Sequence, residues 1–405
     1  MIYDFDRILN RFGTYSMKYD DDAYFRRFAP QIRLDHDTIR LMLADMDFPC
    51  APAITRAMHR VADFGNFGYT TASSAPEYVQ SILAWYRRRY DMELQEEWII
   101  HSNGALDGVG QTVCAFSQPG DGVILCYPVY SNFSSVVRSL GRKPVGCHLL
   151  QPTPGNYQMD WDKFRDVCAQ PENKVFILCS PSNPVGRVWT REELAQMAQI
   201  CRENQVVLVS DEIHSDIVRG TAHHTPILAA VEDLSNIIMV SGVNKTFNLM
   251  GLHCAYSVIP DSSLRARFCE GYEPAMPTPF AVAAVIAAYM ESEDWVDALN
   301  QYLDETLELA VERIREKLPK VHAYVPEGTY ILWLDFSDYG YEPDTLQYLI
   351  NHKANVALQG GLSHDPEQGS QYMRLCVTSP KAVILEAIDR IGDAFAAYET
   401  EQNRK

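Results

Sequence analysis

Residues 237–251 run Ile237-Ile-Met-Val-Ser-Gly-Val-Asn-Lys245-Thr-Phe-Asn-Leu-Met-Gly251, and the fold turns on how they are understood. The opening Ile237-Ile-Met-Val240 is short, apolar and cut off by Ser-Gly turn chemistry, which predicts a buried strand of a parallel sheet. Lys245 then falls at the C-terminal end of that strand, where open α/β sheets bind ligands. A lysine there is either a solvated ammonium, as most lysines are, or an amine that forms a Schiff base with a carbonyl cofactor. Position alone does not choose between them.

Two earlier segments share this design. Lys174-Val-Phe-Ile-Leu-Cys179 runs into Ser180-Pro-Ser-Asn-Pro-Val-Gly186, and Gln205-Val-Val-Leu-Val-Ser210 runs into Asp211-Glu-Ile-His-Ser-Asp216. An Asn, an Asp and a Lys thus occupy the ends of three successive predicted strands. The set Asn183-Pro-Val-Gly-Arg187, Ser210-Asp-Glu-Ile-His-Ser-Asp216 and Asn244-Lys-Thr-Phe-Asn248 resembles fold-type-I pyridoxal-phosphate (PLP) enzymes. More narrowly it resembles the cystathionine β-lyase/C-S lyase branch (MalY/PatB type) of the class I/II aminotransferases. The resemblance extends to Asp4-Phe-Asp-Arg7, Arg11-Phe-Gly-Thr14, Ala44-Asp-Met-Asp-Phe-Pro49, Gly68-Tyr-Thr70 and Pro326-Glu-Gly-Thr-Tyr330, and so covers nearly the whole chain. It implies an α/β protein of PLP-dependent transferase fold type I. A large domain with a mainly parallel seven-stranded sheet flanked by helices would be joined by a smaller α/β domain. The expected division is 1–45 for an N-terminal arm and part of the small domain, 46–290 for the large cofactor-binding domain, and 291–405 for a connector helix and the C-terminal small domain.

Composition narrows the function classes. With 35 basic and 53 acidic residues among 405, the net charge is -18, a surface that repels nucleic-acid phosphates unless a basic patch intervenes. Arg87-Arg-Arg89 is the one such run, and it is expected to be a solvated helix end. The ten cysteines contain no Cys-x-x-Cys pair, and several lie in apolar strands, as free thiols in a reducing compartment would. The first residues lack the basic start and apolar core of a signal peptide, and no apolar run nears the ~20 residues that span a bilayer. A cytoplasmic location is expected.

His101-Ser-Asn-Gly-Ala-Leu-Asp-Gly-Val-Gly110 follows a strand and opens a helix, so Gly104, Ala105 and Leu106 form a candidate phosphate cradle at a helix N-terminus. Gly108-Val-Gly110 is a G-x-G, but position 113 is valine, which removes the third glycine of a dinucleotide fingerprint. Trp161 to Ala169 reads as a short helix. Leu299, Tyr302, Leu303, Thr306, Leu307, Ala310, Val311, Ile314 and Leu318 recur at the spacing of one buried helical face, a connector between lobes. The last helix is expected over 380–398, with a frayed polar tail over 399–405. Arg374 stands in an otherwise apolar strand, where a buried guanidinium needs an anionic partner.

What the remaining residues would do follows from the resemblance. Lys245 would carry PLP and remove the substrate's α-proton, and Asp211 would pair with the ring nitrogen and raise its pKa. Asn183 would donate to the cofactor's O3′ and His214 would lie near it, while Ile213 and Tyr130 would press on opposite ring faces. Tyr69 would reach the cofactor phosphate of a neighbouring subunit, making the enzyme a homodimer. Ser241 and Asn244 would lie at the phosphate, and Arg374 would grip the α-carboxylate, with Asp45 close by; Asp45 and Asp47 are equally readable as turn or helix-cap acceptors. His214, His223 and His224 lack metal-ligand spacing, so no metal is expected. Gly242, Asn244 and His253 replace hydroxyl and arginine positions that bind phosphate in relatives, from which weaker PLP retention is expected. The expected activity is C-S β-lysis of cystathionine, cysteine or cysteine S-conjugates to a thiol, pyruvate and ammonia. The rivals are an aminotransferase using the same residues and a non-catalytic regulator of this fold.

Overall fold

Short apolar segments alternate with amphipathic ones along the first two-thirds of the chain, and the computed structural model, which describes residues 3–28, 32–274 and 276–404, folds them into a helix-flanked sheet. Its seven strands are β1 (Ile99–Ser102), β2 (Gly122–Tyr127), β3 (Lys143–His148), β4 (Asn173–Cys179), β5 (Val207–Asp211), β6 (Ile237–Ser241) and β7 (Ala255–Val258). Their spatial order is β1-β7-β6-β5-β4-β2-β3, and only β7 runs antiparallel to its neighbours. Strands β2 and β6 are buried along their whole length, because helices cover both faces of the sheet. At ~1.5–3 kcal/mol for each buried Val, Leu or Ile, these two faces supply much of the driving force for folding.

The smaller sheet comprises β8 (Ile331–Asp335), β9 (Gln359–Gly360) and β10 (Tyr372–Cys376), in the order β8-β10-β9. The helix Glu293–Lys317 joins the two cores. Trp295, Val296, Leu299, Tyr302 and Leu303 pack in the large core, and Leu307, Ala310, Val311 and Ile314 pack in the small one. The predicted buried face is therefore shared between two cores, with the handover between Leu303 and Leu307.

Three local expectations need correcting. The last helix runs Lys381–Gln402, past the predicted end at 398, and Glu399 on its final turns accepts from Lys320 at 2.9 Å; Lys405 lies outside the described residues, as do Met1 and Ile2. The first segment, expected as an N-terminal arm and part of the small domain with no helix assigned, holds two short helices, Met17–Asp20 and Asp22–Phe28. Arg87, Arg88 and Arg89 are paired at the helix end: Arg87 meets Glu93 at 2.6 Å, Arg88 meets Glu293 at 3.1 Å and Arg89 meets Asp297 at 2.7 Å. The acidic start of the connector helix meets Arg88 and Arg89, which a linear reading does not reveal, while Glu93 just past the arginines' own helix meets Arg87.

Candidate functional site

Strands β4, β5 and β6 end side by side, and each delivers one polar group to the same edge of the sheet. Asp211 closes β5 as the register partner of Cys179 on β4 and Val240 on β6. Its carboxylate accepts the Ile213 N–H at 3.1 Å, and among the described residues no ion pair reaches it. Burial pushes the carboxyl up to about 7, against the opposing pull of the Ile213 N–H and of the Lys245 charge.

Lys245 follows β6 and is half-buried, with Nζ donating to the Ala44 carbonyl at 2.9 Å. Loss of water around the amine brings it down to about 8, and the nearby Arg374 charge acts in the same direction. Gly242, between the strand and the lysine, has a local cause. A Cβ there would stand 3.0 Å from the Ala255 Cα and 3.1 Å from the Cys254 carbonyl, so a hydroxyl residue would need the neighbouring backbone to give by a few tenths of an ångström.

Asn183 follows β4 and is buried, and its Oδ1 accepts from Arg374 Nη1 at 3.3 Å. Arg374 comes from β10 of the small sheet, also buried, with Nη2 donating to the Met42 carbonyl at 2.7 Å. Its Nε has no partner and no carboxylate pairs with it, so a buried cation stands with donor capacity to spare. The structural salt bridge that would have been its dull explanation is absent among the described residues. His214 is buried beside it with Nδ1 unpartnered; burial, then the Lys245 and Arg374 charges, hold its imidazole neutral. Ile213 is buried next to Asp211.

Tyr130 is half-buried, receives a hydrogen bond from Asn132 Nδ2 at 2.8 Å, and feels both Arg374 and Asp211 electrostatically. Gly104 precedes the helix Ala105–Phe116 beyond β1, with open space where a side chain would project, and Ala105 and Leu106 begin the helix. Ser241 is buried at the end of β6 with Oγ on the Glu212 carbonyl, and Asn244 is buried with Oδ1 unpartnered. Asp45 is held by Arg11 at 3.0 Å. Tyr69 alone stands apart, fully exposed on its loop, while neighbouring Thr70 donates to the Pro277 carbonyl.

Sequence reasoning assigned no role to Arg11, Tyr330 or Asn248, although each stands in a stretch that carries the resemblance. The Tyr330 hydroxyl donates to the same Ala44 oxygen as Lys245, at 3.4 Å. Their signal was membership in a motif, with no local chemistry to mark them. His224 pairs with Glu212 at 2.8 Å in the core, and among the described residues no group of three or more His, Cys, Asp or Glu could hold a metal. All ten cysteines are free, and among the described residues no helix is long and apolar enough to cross a membrane.

An amine and a carboxylate without a counterion at one sheet edge, faced by an unsatisfied guanidinium from the smaller sheet, are groups suited to amino-acid chemistry, and residues 36–391 match the family Aminotransferase class I and II. The chain belongs to that family. Among class I and II aminotransferase relatives, cystathionine beta-lyase PatB of Bacillus subtilis is 33% identical, with 97% of this chain and 100% of that protein covered. Protein MalY of Escherichia coli is 29% identical over 98% and 100%. A PLP-bound putative aminotransferase from Clostridium difficile superposes with a TM-score of 0.91 at 32% identity, covering 97% of this chain and all of the other. Cystalysin from Treponema denticola, whose crystal structure contains pyridoxal 5′-phosphate, superposes with a TM-score of 0.91 at 28% identity, over 98% and 100%.

Proposed function

We propose that this family member is a PLP-dependent C-S β-lyase, cleaving cystathionine, cysteine or a cysteine S-conjugate to a thiol, pyruvate and ammonia. The observation that carries the proposal is the convergence of Lys245, Asp211, Asn183 and Arg374, in a chain that aligns end to end with a cystathionine beta-lyase. The donor set suits the cofactor: a buried carboxylate without a counterion, an unpartnered imidazole nitrogen on His214, an unpartnered Asn244 oxygen and an open helix N-terminus at Gly104. Lys245 would hold it, with Asp211, Asn183, Ile213, His214, Tyr130, Ser241, Asn244 and residues 104–106 around it, and Tyr69 arriving from a second copy.

When bound, PLP supplies a carbonyl for the substrate's amine and a sink for the electron pair left at Cα. Arg374 binds the α-carboxylate through its free guanidinium edge, a charge-assisted bidentate arrangement that fixes the substrate's orientation. Asn183, already on Arg374, shares that carboxylate. Lys245, brought down to about 8, is in large part neutral at mildly alkaline pH and so able to accept the α-proton on Nζ. The Cβ–S bond then breaks with its electron pair leaving on sulfur. Asp211 stays anionic wherever a cation faces it, since an opposite charge offsets its burial.

Purified protein is incubated with L-cystathionine or L-cysteine, with and without a 2-oxo acid. Pyruvate released without the oxo acid is expected, and strict dependence on it would make the chain a transaminase instead. Lys245→Ala is expected to abolish activity together with the visible Schiff-base absorption.

A further inference from the structure

One side chain ties the lysine loop to the segment that faces it. Asn248 Nδ2 donates to the Met46 carbonyl at 2.7 Å, and its Oδ1 accepts the Met46 N–H at 2.9 Å. Both ends of the amide are therefore committed, and no isosteric residue reproduces both bonds. Asn248 sits at φ +57°, a left-handed conformation that Asn adopts more readily than most residues. Arg11 Nη1 donates to the same Met46 carbonyl at 3.2 Å and to Asp47 at 2.7 Å, and its two terminal nitrogens each meet Asp45 at 3.0 Å. The segment 44–47 is held by two side chains, and its first carbonyl, that of Ala44, is the one that meets Lys245 Nζ at 2.9 Å.

A neutral amine carries two N–H bonds and one lone pair. Holding one N–H on a fixed acceptor removes most rotational freedom about the last side-chain bond and restricts where the lone pair points, which is an orientational contribution to proton transfer. We propose that the Ala44 carbonyl is the acceptor that aims the Lys245 amine at the substrate's α-proton, and that Asn248 and Arg11 are positioning residues that hold this carbonyl in place. The proposal rests on the lyase reading above, and the experiment separates the two.

Holoenzyme is prepared for the wild type and three variants. Asn248→Gly keeps the backbone conformation and deletes both hydrogen bonds, Asn248→Asp keeps only the acceptor, and Arg11→Met removes the second grip. For Asn248→Gly, kcat per bound cofactor is expected to fall about ten- to hundredfold with KM changed less than about threefold, Asn248→Asp falling in between. The Cα-deuterium isotope effect on kcat should rise, because proton removal becomes slower than the other steps. In cofactor-free protein, the pH midpoint for condensation of Lys245 with added pyridoxal phosphate should drop by about half a unit or more, since the ammonium has lost a well-placed acceptor. Variants with lower melting temperature or cofactor content, but with wild-type kcat per cofactor, isotope effect and midpoint, would show a purely structural clamp and overturn the proposal. A wild type giving neither Schiff-base absorption nor pyruvate would sink the lyase reading itself, and the proposal with it.

Discussion

Among the described residues Asp211 has no ion-pair partner, and burial pushes its carboxyl up to about 7. A carboxyl raised in the folded state leaves the unfolded chain as the stronger acid. Its burial therefore costs nothing below the ordinary carboxylate range near pH 4, and the penalty is complete above about 7. Asp211→Asn is accordingly expected to stabilise the cofactor-free protein by about 2–4 kcal/mol at pH 8, with the gain vanishing near pH 4. Thermal melts across that range measure it, and a variant no more stable than wild type at pH 8 would show that the carboxylate is not desolvated. The residue's place at a strand end was legible in the sequence, because Gln205-Val-Val-Leu-Val-Ser210 is apolar and stops at a charge. That no counterion reaches it was not, since this depends on which side chains β4 and β6 bring alongside.

At the scale of elements, the segment 44–47 shows how the N-terminal region becomes part of the site. Asp47 is buried and accepts from Lys18 Nζ at 2.8 Å, Arg11 at 2.7 Å, Ser379 at 2.6 Å and Tyr19 at 3.0 Å. Burial alone would raise its pKa, but Lys18, Ser379 and Arg11 together hold it below the usual carboxylate range. This stabilisation is present above that range and is lost as the pH falls through the lowered value. Because the Lys18 side chain is fully buried, Asp47→Asn is expected to cost about 3–5 kcal/mol by stranding an uncompensated ammonium. Urea unfolding checks this, and adding Lys18→Met to the variant should recover part of the loss. Sequence reasoning left Asp45 and Asp47 open between turn acceptors and pocket residues. The ion cluster that decides their partners joins positions 11, 18, 47 and 379, and no local pattern connects these.

At the scale of the whole molecule, Tyr69 is fully exposed, as is most of the loop around it, with Phe64 and Phe67 also open to solvent. A second copy that buried this loop would bring the phenol to the neighbouring site, and this gives a direct test. Mixing unfolded Tyr69→Ala and Lys245→Ala chains and refolding them together should restore about a quarter of wild-type activity, because heterodimers hold one site with both lesions and one with neither. No recovery would place Tyr69 in its own chain's site, whereas Tyr69→Ala chains active by themselves would place it outside any site. The same scale explains Arg374, which lies on the smaller sheet and reaches Asn183 beyond β4 of the larger one at 3.3 Å. Any change in how the two cores meet would alter the Arg374–Asn183 contact, and with it the carboxylate grip proposed for that pair.

The chain by itself determined that strands end in Asn, Asp and Lys at one sheet edge, that Gly104 opens a helix, and that one long helix carries a continuous apolar face. These follow from hydrophobic periodicity and turn chemistry, which act over a few residues. Only the tertiary structure decided that the Lys245 amine rests on the Ala44 carbonyl, that Asn248 and Arg11 grip the strand of backbone behind it, and that Arg374 and His214 keep unpartnered nitrogens. Those outcomes depend on desolvation and on contacts between residues distant in sequence, 35 positions apart for Arg11 and Met46 and 201 for Ala44 and Lys245, so they exist only once the chain has closed on itself.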